Sequence, residues 1–284
     1  MVWFTMTRED IPVFLPLLPK DVAGAVGRPG FFTIGALQEP ADPAGVLQFY
    51  VGGPSDRGAS AELTYLYVAE EYRGSNVATE LLSRMRSALK AGGIERSEIF
   101  LPKRAAAEDL KAFLSACDYR FSEDGAAYCL APLTQYLDRG GRSLQASSHC
   151  HPMGELSEEE LRKLLDAIWN HSPRGTVLAE LSRDPGSWEK NISGFYRESD
   201  GCGVFLIRKL PSGLLEPVLL HAYGQEVQKR LQGLIAGSMR WAEEHYSPDT
   251  LVRVRFRLLN TEKLLAKLCP KVVPERLQIG ILMI

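Results

Sequence analysis

Apolar and polar residues along the first half of the chain follow two different periods. The runs "FFTIGALQ" and "GVLQFYVGG" are strand-like and are separated by the turn-rich "EPADPA", which predicts a hairpin. "AELTYLYV" predicts a third strand. At Asn76 the period changes: Val77, Ala78, Leu81, Leu82, Met85 and Leu89 share one face of a helix until Gly92 and Gly93 end it. "SEIFLP" then reads as a short strand, "AAEDLKAFLSAC" as a helix with Leu110, Phe113, Leu114 and Cys117 on one side, and "AAYCLAPL" as a further strand.

The stretch "DRGGRSLQASSHCHPMGELS" has no period and reads as a connection between domains. Ser157 and Glu160 form a capping box, and Leu161, Leu164, Leu165, Ile168 and Trp169 are the apolar stripe of the helix it starts. The element order then repeats. "GCGVFLIRK" turns through "LPSG" into "LLEPVLLHAY", followed by a helix from Glu226 to about His245, the strand "TLVRVRFRLL", a short helix around "TEKLLAKL" and the strand "RLQIGILMI". Residue identity between the halves is slight, so the repeat is one of element order. It predicts two related domains, 1–137 and 157–284, joined by a linker at 138–156.

Composition narrows what such a protein can do. Its 284 residues suit two cores, and 45 % apolar with 24 % charged residues is ordinary for a globular chain. A net charge of −2 supplies no long-range field for nucleic acid or an anionic membrane, so neither is an expected partner. No apolar run approaches a membrane span, and charges at Arg8, Glu9 and Asp10 with three following prolines interrupt any secretory signal. Five scattered cysteines without CxxC spacing predict reduced thiols and a cytoplasmic location. "HCH" at His149 to His151 lacks a second ligand pair, so no metal is expected.

The chemistry concentrates where the third strand turns into the helix. A turn of free backbone N–H groups entering a helix makes an anion cradle, because first-turn donors lack intrahelical acceptors and the macrodipole is positive there. Neither GxxxxGK[ST] nor GxGxxG stands at this turn. "VAEEYRGSNVATELL" instead resembles motif A of the GCN5-related N-acetyltransferase (GNAT) superfamily, a valine-ended strand followed by Gln/Arg-x-x-Gly-x-Gly/Ala and a helix. Arg73 and Ala78 match that pattern, and Asn76 stands where the family has glycine. The element order of residues 1 to 137 is also that of the superfamily.

The resemblance implies an α/β (α+β) fold of two tandem acetyltransferase-like domains, each a mixed, mostly antiparallel twisted sheet flanked by helices. It also implies acetyl-CoA as acyl donor. Its pyrophosphate would lie on the backbones of Arg73, Gly74, Ser75, Asn76, Val77 and Ala78, and its pantetheine arm along Leu66, Tyr67 and Val68. The acceptor would be an amine of a small molecule or peptide. Glu62 matches the strand glutamate that histone-acetylating members use as general base. Such help has a purpose, since deprotonating a lysine-like amine near neutrality costs ~4 to 5 kcal/mol. Simple alternation puts Glu62 on one face with Thr64, Leu66 and Val68.

The family's usual general acid is a tyrosine, and Leu114 takes its place here. Tyr119 or Tyr128 could substitute, with Tyr128 carried as the candidate and also readable as a packed aromatic; otherwise the thiolate leaves unassisted. The second half has no Arg-x-x-Gly-x-Gly/Ala and looks like a degenerate partner. Its Arg253, Arg255 and Arg257 share a strand face that could receive an acidic acceptor or simply be solvated or interdomain. The competing reading of the whole is a non-catalytic acyl-CoA sensor or scaffold of the same fold.

Overall fold

The computed structural model describes residues 1–38, 41–51, 60–137, 149–169, 188–198, 200–256, 263, 265–266 and 269–284, the side chains of 124 and 125 apart. The chain forms two compact units, residues 1–124 with 278–284, and residues 125–277.

The first unit is a mixed sheet in the order β1-β2-β3-β4-β5-β12. Its strands are β1 (Val2–Thr5), β2 (Phe31–Gln38), β3 (Asp42–Val51), β4 (Ser60–Val68), β5 (Arg96–Pro102) and the end of β12 (Glu275–Met283). The expected hairpin is β2 on β3, antiparallel from Phe31↔Tyr50 to Gln38↔Asp42. β3 and β4 are antiparallel from Gly45↔Val68 to Val51↔Ala61. The periodic stretch after Asn76 is the helix Val77–Ala91. It buries Val77, Leu81, Leu82, Met85 and Leu89 against Leu47, Phe49, Leu63 and Ile99. Each large side chain so buried contributes about 1.5 to 3 kcal/mol. The opposite face is covered by Phe14, Leu17, Leu18 and Val26, which pack on Val46, Tyr65 and Tyr67. β1 and the short helices Ile11–Phe14 and Lys20–Ala25 carried no clear period, because prolines at 12, 16 and 19 break the run.

The second unit has the order β6-β11-β10-β9-β8-β7. Its strands are β6 (Arg120–Pro132), β7 (Cys150–Pro152), β8 (Gly194–Glu198), β9 (Gly201–Lys209), β10 (Leu215–Ala222) and β11 (Leu251–Phe256). The helix Glu158–Trp169 starts at the expected capping box, with Ser157 N–H donating to Glu160 at 2.9 Å and Glu160 N–H donating to Ser157 Oγ at 3.3 Å. Residues alternate along β9: Val204 and Leu206 meet Leu164 and Ile168 of that helix, while Phe205 and Ile207 face the side of the helix Val227–His245.

Two expectations differ from these contacts. Domains cut at 137 and 157 assume contiguous segments, whereas ladders assign residues by pairing. The second half of β6 pairs with β11 from Leu251↔Pro132 to Phe256↔Ala127, so it counts with the second unit. Leu282 packs with Ile99 and Ile284 N–H donates to Glu95 at 2.9 Å, so residues 278–284 count with the first. The aperiodic connection also contains β7, which is three residues long and too short to show a period. The short helix expected around "TEKLLAKL" lies largely outside the described residues.

Candidate functional site

The site begins where β4 and β5 part. These strands are parallel and pair only from Ser60↔Arg96 to Glu62↔Glu98. Beyond Glu62, β4 continues to Val68, so its edge toward β5 opens as a fork. A bulge lies just past the last rung: Phe49 pairs with Leu63, then Gln48 with Tyr65, leaving Thr64 as the extra residue. Thr64 Oγ1 donates to the Gln48 carbonyl at 3.0 Å.

The bulge corrects the alternation expected for Glu62. Ala61 and Leu63 share the helix-side core with Leu66 and Val68, whereas Tyr65 and Tyr67 face the other side. One extra residue inverts the parity, so Glu62 faces with Tyr65 and Tyr67 and not with Leu66 and Val68. Glu62 is half-buried, opposite Tyr50 on β3 and beside Glu98 on β5. Glu98 is 7 % exposed and lies 3.3 Å from Arg96. Pairing across β4 and β5 joins residues far apart in sequence, and no local pattern announced Glu98 or Tyr50.

At the other end of β4 the chain turns into the helix Val77–Ala91. Arg73 is extended, Gly74 has φ +78° and Asn76 has φ 60° and ψ 12°. Asparagine tolerates this left-handed conformation better than most residues, so it can stand where the family pattern has glycine. Its side chain makes no capping hydrogen bond, and the first helical bond is Glu80 N–H to the Asn76 carbonyl at 3.0 Å. First-turn N–H groups of Val77, Ala78 and Thr79 therefore precede any intrahelical acceptor. Arg73, Gly74, Ser75 and Asn76 are exposed, and a Cβ built on Gly74 would meet nothing within 4 Å. Glu80, the acid of the first turn, is paired with Arg84 at 2.9 Å.

Local contacts tie the turn to the strand. Arg73 Nε donates to the Val68 carbonyl at 3.3 Å, and its guanidinium lies 5.7 Å from the Tyr67 ring centre. Gly45, opposite Val68, lets the helix start approach: a Cβ there would lie 3.0 Å from Val77 Cγ1 and 3.1 Å from the Tyr67 carbonyl oxygen. Arg73 thus ties the turn back to the end of β4. Glu62 lies about 20 Å along the strand from its end, at ~3.3 Å per residue.

The tyrosines lie elsewhere. Tyr119 is buried, shares a 2.8 Å hydrogen bond with Ser97 and is pushed up to about 12 by burial. Tyr128 counts with the second unit, opposite Arg255, and its hydroxyl donates to Glu275. Leu114 is fully buried in the first core.

The second unit repeats this geometry with different contents. β10 and β11 are parallel with a rung at Leu215↔Val252, β10 is bulged between Pro217 and Leu219, and Glu226 precedes the helix Val227–His245 with φ 47°. Arg230 fills the turn. It is 2 % exposed and donates to the Tyr223 carbonyl at 2.6 Å, to Asp200 at 2.5 Å and to Glu198 at 3.1 Å. A Cβ on Gly224 would lie 2.4 Å from its guanidinium. Arg253 bonds Glu216 at 2.9 Å, so it is engaged within its own sheet, and Arg257 lies outside the described residues.

At "HCH", His149 pairs with Glu198 at 3.5 Å and His151 with Glu155 at 3.3 Å. Among the described residues no group of three or more His, Cys, Asp or Glu could hold a metal, all five cysteines are free thiols, and no helix is long and apolar enough to cross a membrane.

Residues 5–113 match the acetyltransferase (GNAT) family. By sequence, no curated protein matches the chain. Solved structures do. The GCN5-related glucosamine N-acetyltransferase region of a fungal multi-domain GH3 β-N-acetylglucosaminidase aligns with TM-score 0.71 and 11 % identity, covering 99 % of this chain and 38 % of that one. This chain thus spans well under half of that protein. A tandem GNAT protein from the clavulanic acid biosynthesis pathway aligns with TM-score 0.67 and 11 % identity over 99 % of this chain and 98 % of its own. A GCN5-related N-acetyltransferase from Sphaerobacter thermophilus gives 0.63 and 10 % over 99 % and 95 %. At these identities the likeness is one of fold.

Proposed function

We propose, for a chain that belongs to the GNAT superfamily with two domains of that fold in tandem, that the first unit moves an acetyl group from acetyl-CoA to a primary amine of a small molecule or peptide. The fold supports acyl transfer in general. The observation that carries the finer reading is the exposed turn from Arg73 to Asn76, two of whose residues are left-handed, leading into uncapped first-turn amides.

The residues present fit the donor. Within the Arg73 to Ala78 turn the amides of Gly74, Asn76, Val77 and Ala78 would hold its pyrophosphate, those of Arg73 and Ser75 donating to the Glu70 and Tyr72 carbonyls, and the open edge of Leu66, Tyr67 and Val68 would pair with its pantetheine arm. The donor supplies an activated thioester. Amides of the forked strand at the bulge just beyond Glu62 would orient and polarise its carbonyl, and the fork would keep donor and amine in one complex. Glu62 takes a proton from the attacking nitrogen, directly or through one water. Tyr128 was the candidate acid, but its hydroxyl is engaged with Glu275. We assign the departing thiolate no side-chain acid, since a thiol of pKa about 8.5 leaves tolerably as its anion. The protein would work in the cytoplasm, in keeping with its free thiols.

The sensor reading draws on one observation, the leucine at 114 where the family has its acid. The two are separated by measuring acetyl-CoA binding and thiol release with a mixed panel of amines. Turnover supports the enzyme, and binding without thiol release on any amine supports the sensor. Glu62→Gln is expected to lower kcat by about 10²- to 10⁴-fold with the coenzyme Kd within about threefold. Equal loss of both would remove Glu62 from the base role.

A further inference from the structure

The bulges give the two units a common numbering of positions. Glu62 stands one residue before Leu63, the last paired residue ahead of the first bulge, and Glu216 one before Pro217 at the second. Glu62 lies opposite Tyr50, and Glu216 opposite Arg208. The rung Ala61↔Ser97 corresponds to Leu215↔Val252, which makes Glu98 the counterpart of Arg253. One glutamate is therefore flanked by Tyr50 and Glu98, and the other by two arginines.

The consequence in the second unit is a locked carboxylate. Glu216 is 2 % exposed, and its Oε2 accepts from Arg208 Nε at 2.8 Å and from a terminal nitrogen at 2.6 Å, while Oε1 accepts from Arg253 at 2.9 Å. Such a group cannot take a proton from a substrate without breaking three charge-assisted bonds. The first unit has a cation close by as well. Arg96 sits two residues before Glu98 on the same strand and so on the same face, 3.3 Å from the Glu98 carboxylate. The pair is largely out of solvent, with side chains 19 % and 9 % exposed, and Arg96 Nε is buried without a hydrogen bond. Charge, not a full set of aligned bonds, holds this guanidinium.

We propose that Glu98 is a positioning residue that holds Arg96 behind the fork and keeps it off Glu62, so that the first unit does not adopt the locked arrangement of the second. This rests on Glu62 being the base. Without Glu98, Arg96 has a carboxylate within reach one strand away: it pairs with Ser60, so Glu62 is its diagonal neighbour on the same face, about 8 Å off between Cα atoms, which a guanidinium side chain spans.

The test compares wild type with Glu98→Gln, Glu98→Asp and the double variant Glu98→Gln/Arg96→Gln, by steady-state kinetics, acetyl-CoA titration and crystal structures. Glu98→Gln is expected to lower kcat about 10- to 100-fold with the acetyl-CoA Kd within about threefold, and to bring Arg96 into ion-pair contact with Glu62. The double variant is expected to recover kcat to within about threefold of wild type. Glu98→Asp, which keeps the charge, should stay close to wild type, and it serves should Glu98→Gln fold poorly: a 10-fold or greater loss of kcat there counts against the proposal. An unmoved Arg96 in Glu98→Gln, or a double variant no faster than the single, overturns it. Wild type that releases no thiol with any amine defeats the enzymatic reading instead, and the position of Arg96 still decides this one.

Discussion

At the scale of single residues the two units set one residue type, a glutamate ahead of a bulge, in opposite surroundings. Burial opposes ionisation of Glu216, but Arg208, Arg253 and Arg255 outweigh it and hold its carboxyl down at about 2. A depressed folded-state value stabilises the fold above the unfolded value near 4.5, and that stability is lost as pH falls from there through about 2. Glu216→Gln is expected to destabilise by about 3 kcal/mol at pH 7 and by much less near pH 2, in urea unfolding at both. Equal losses at the two pH values would contradict the locked carboxylate. Asn76 presents a second case, because its φ of 60° is a cost that only certain side chains bear well. Asn76→Val should lower stability by about 1 to 2 kcal/mol and weaken acetyl-CoA binding, whereas Asn76→Gly should leave both unchanged or improved. Thermal unfolding and coenzyme titration of the pair read this out.

At the scale of elements, the contact between helix start and strand end is made by a missing side chain. Gly45→Ala puts a methyl 3.0 Å from Val77 and 3.1 Å from a carbonyl oxygen. It is expected to cost about 1 to 3 kcal/mol and to weaken coenzyme binding along with stability. Unchanged melting would mean that the helix start is not seated on the strand. The helix was legible because its period persists over fifteen residues, from Val77 to Ala91. The turn was legible through the resemblance of its sequence to the family pattern, which Arg73 and Ala78 match, and not through any local period. The facing of Glu62 was not legible under simple alternation, although the signal was present: apolar Ala61 and Leu63 are followed by Leu66 and Val68, a change of parity that only an inserted residue explains. Glu98 and Arg96 gave no signal, since parallel pairing brings together segments separated by a whole helix.

At the scale of the whole molecule, two domains of one fold were visible in the repeated element order, but their borders were not. Strands β6 and β12 are continuous in sequence and divided between the units, and sequence composition does not mark where a ladder changes hands. The repeat also conceals an asymmetry. One helix-entry turn has four exposed residues, Arg73 to Asn76, and the other is filled by Arg230 with its own acidic partners. The protein is therefore expected to bind one acetyl-CoA per chain. Tyr128→Phe, in the second unit, should leave turnover within about threefold, and a loss above tenfold would restore that tyrosine as the acid.

Calorimetric titration with acetyl-CoA, of wild type and of Gly74→Val, decides whether the Arg73 to Ala78 turn holds the donor. A valine at a residue with φ +78° distorts the turn while leaving the rest of the first core in place. One saturable site per chain is expected in wild type, and one at least about tenfold weaker in Gly74→Val. No measurable binding in wild type, or equal affinity in the two proteins, would contradict this expectation.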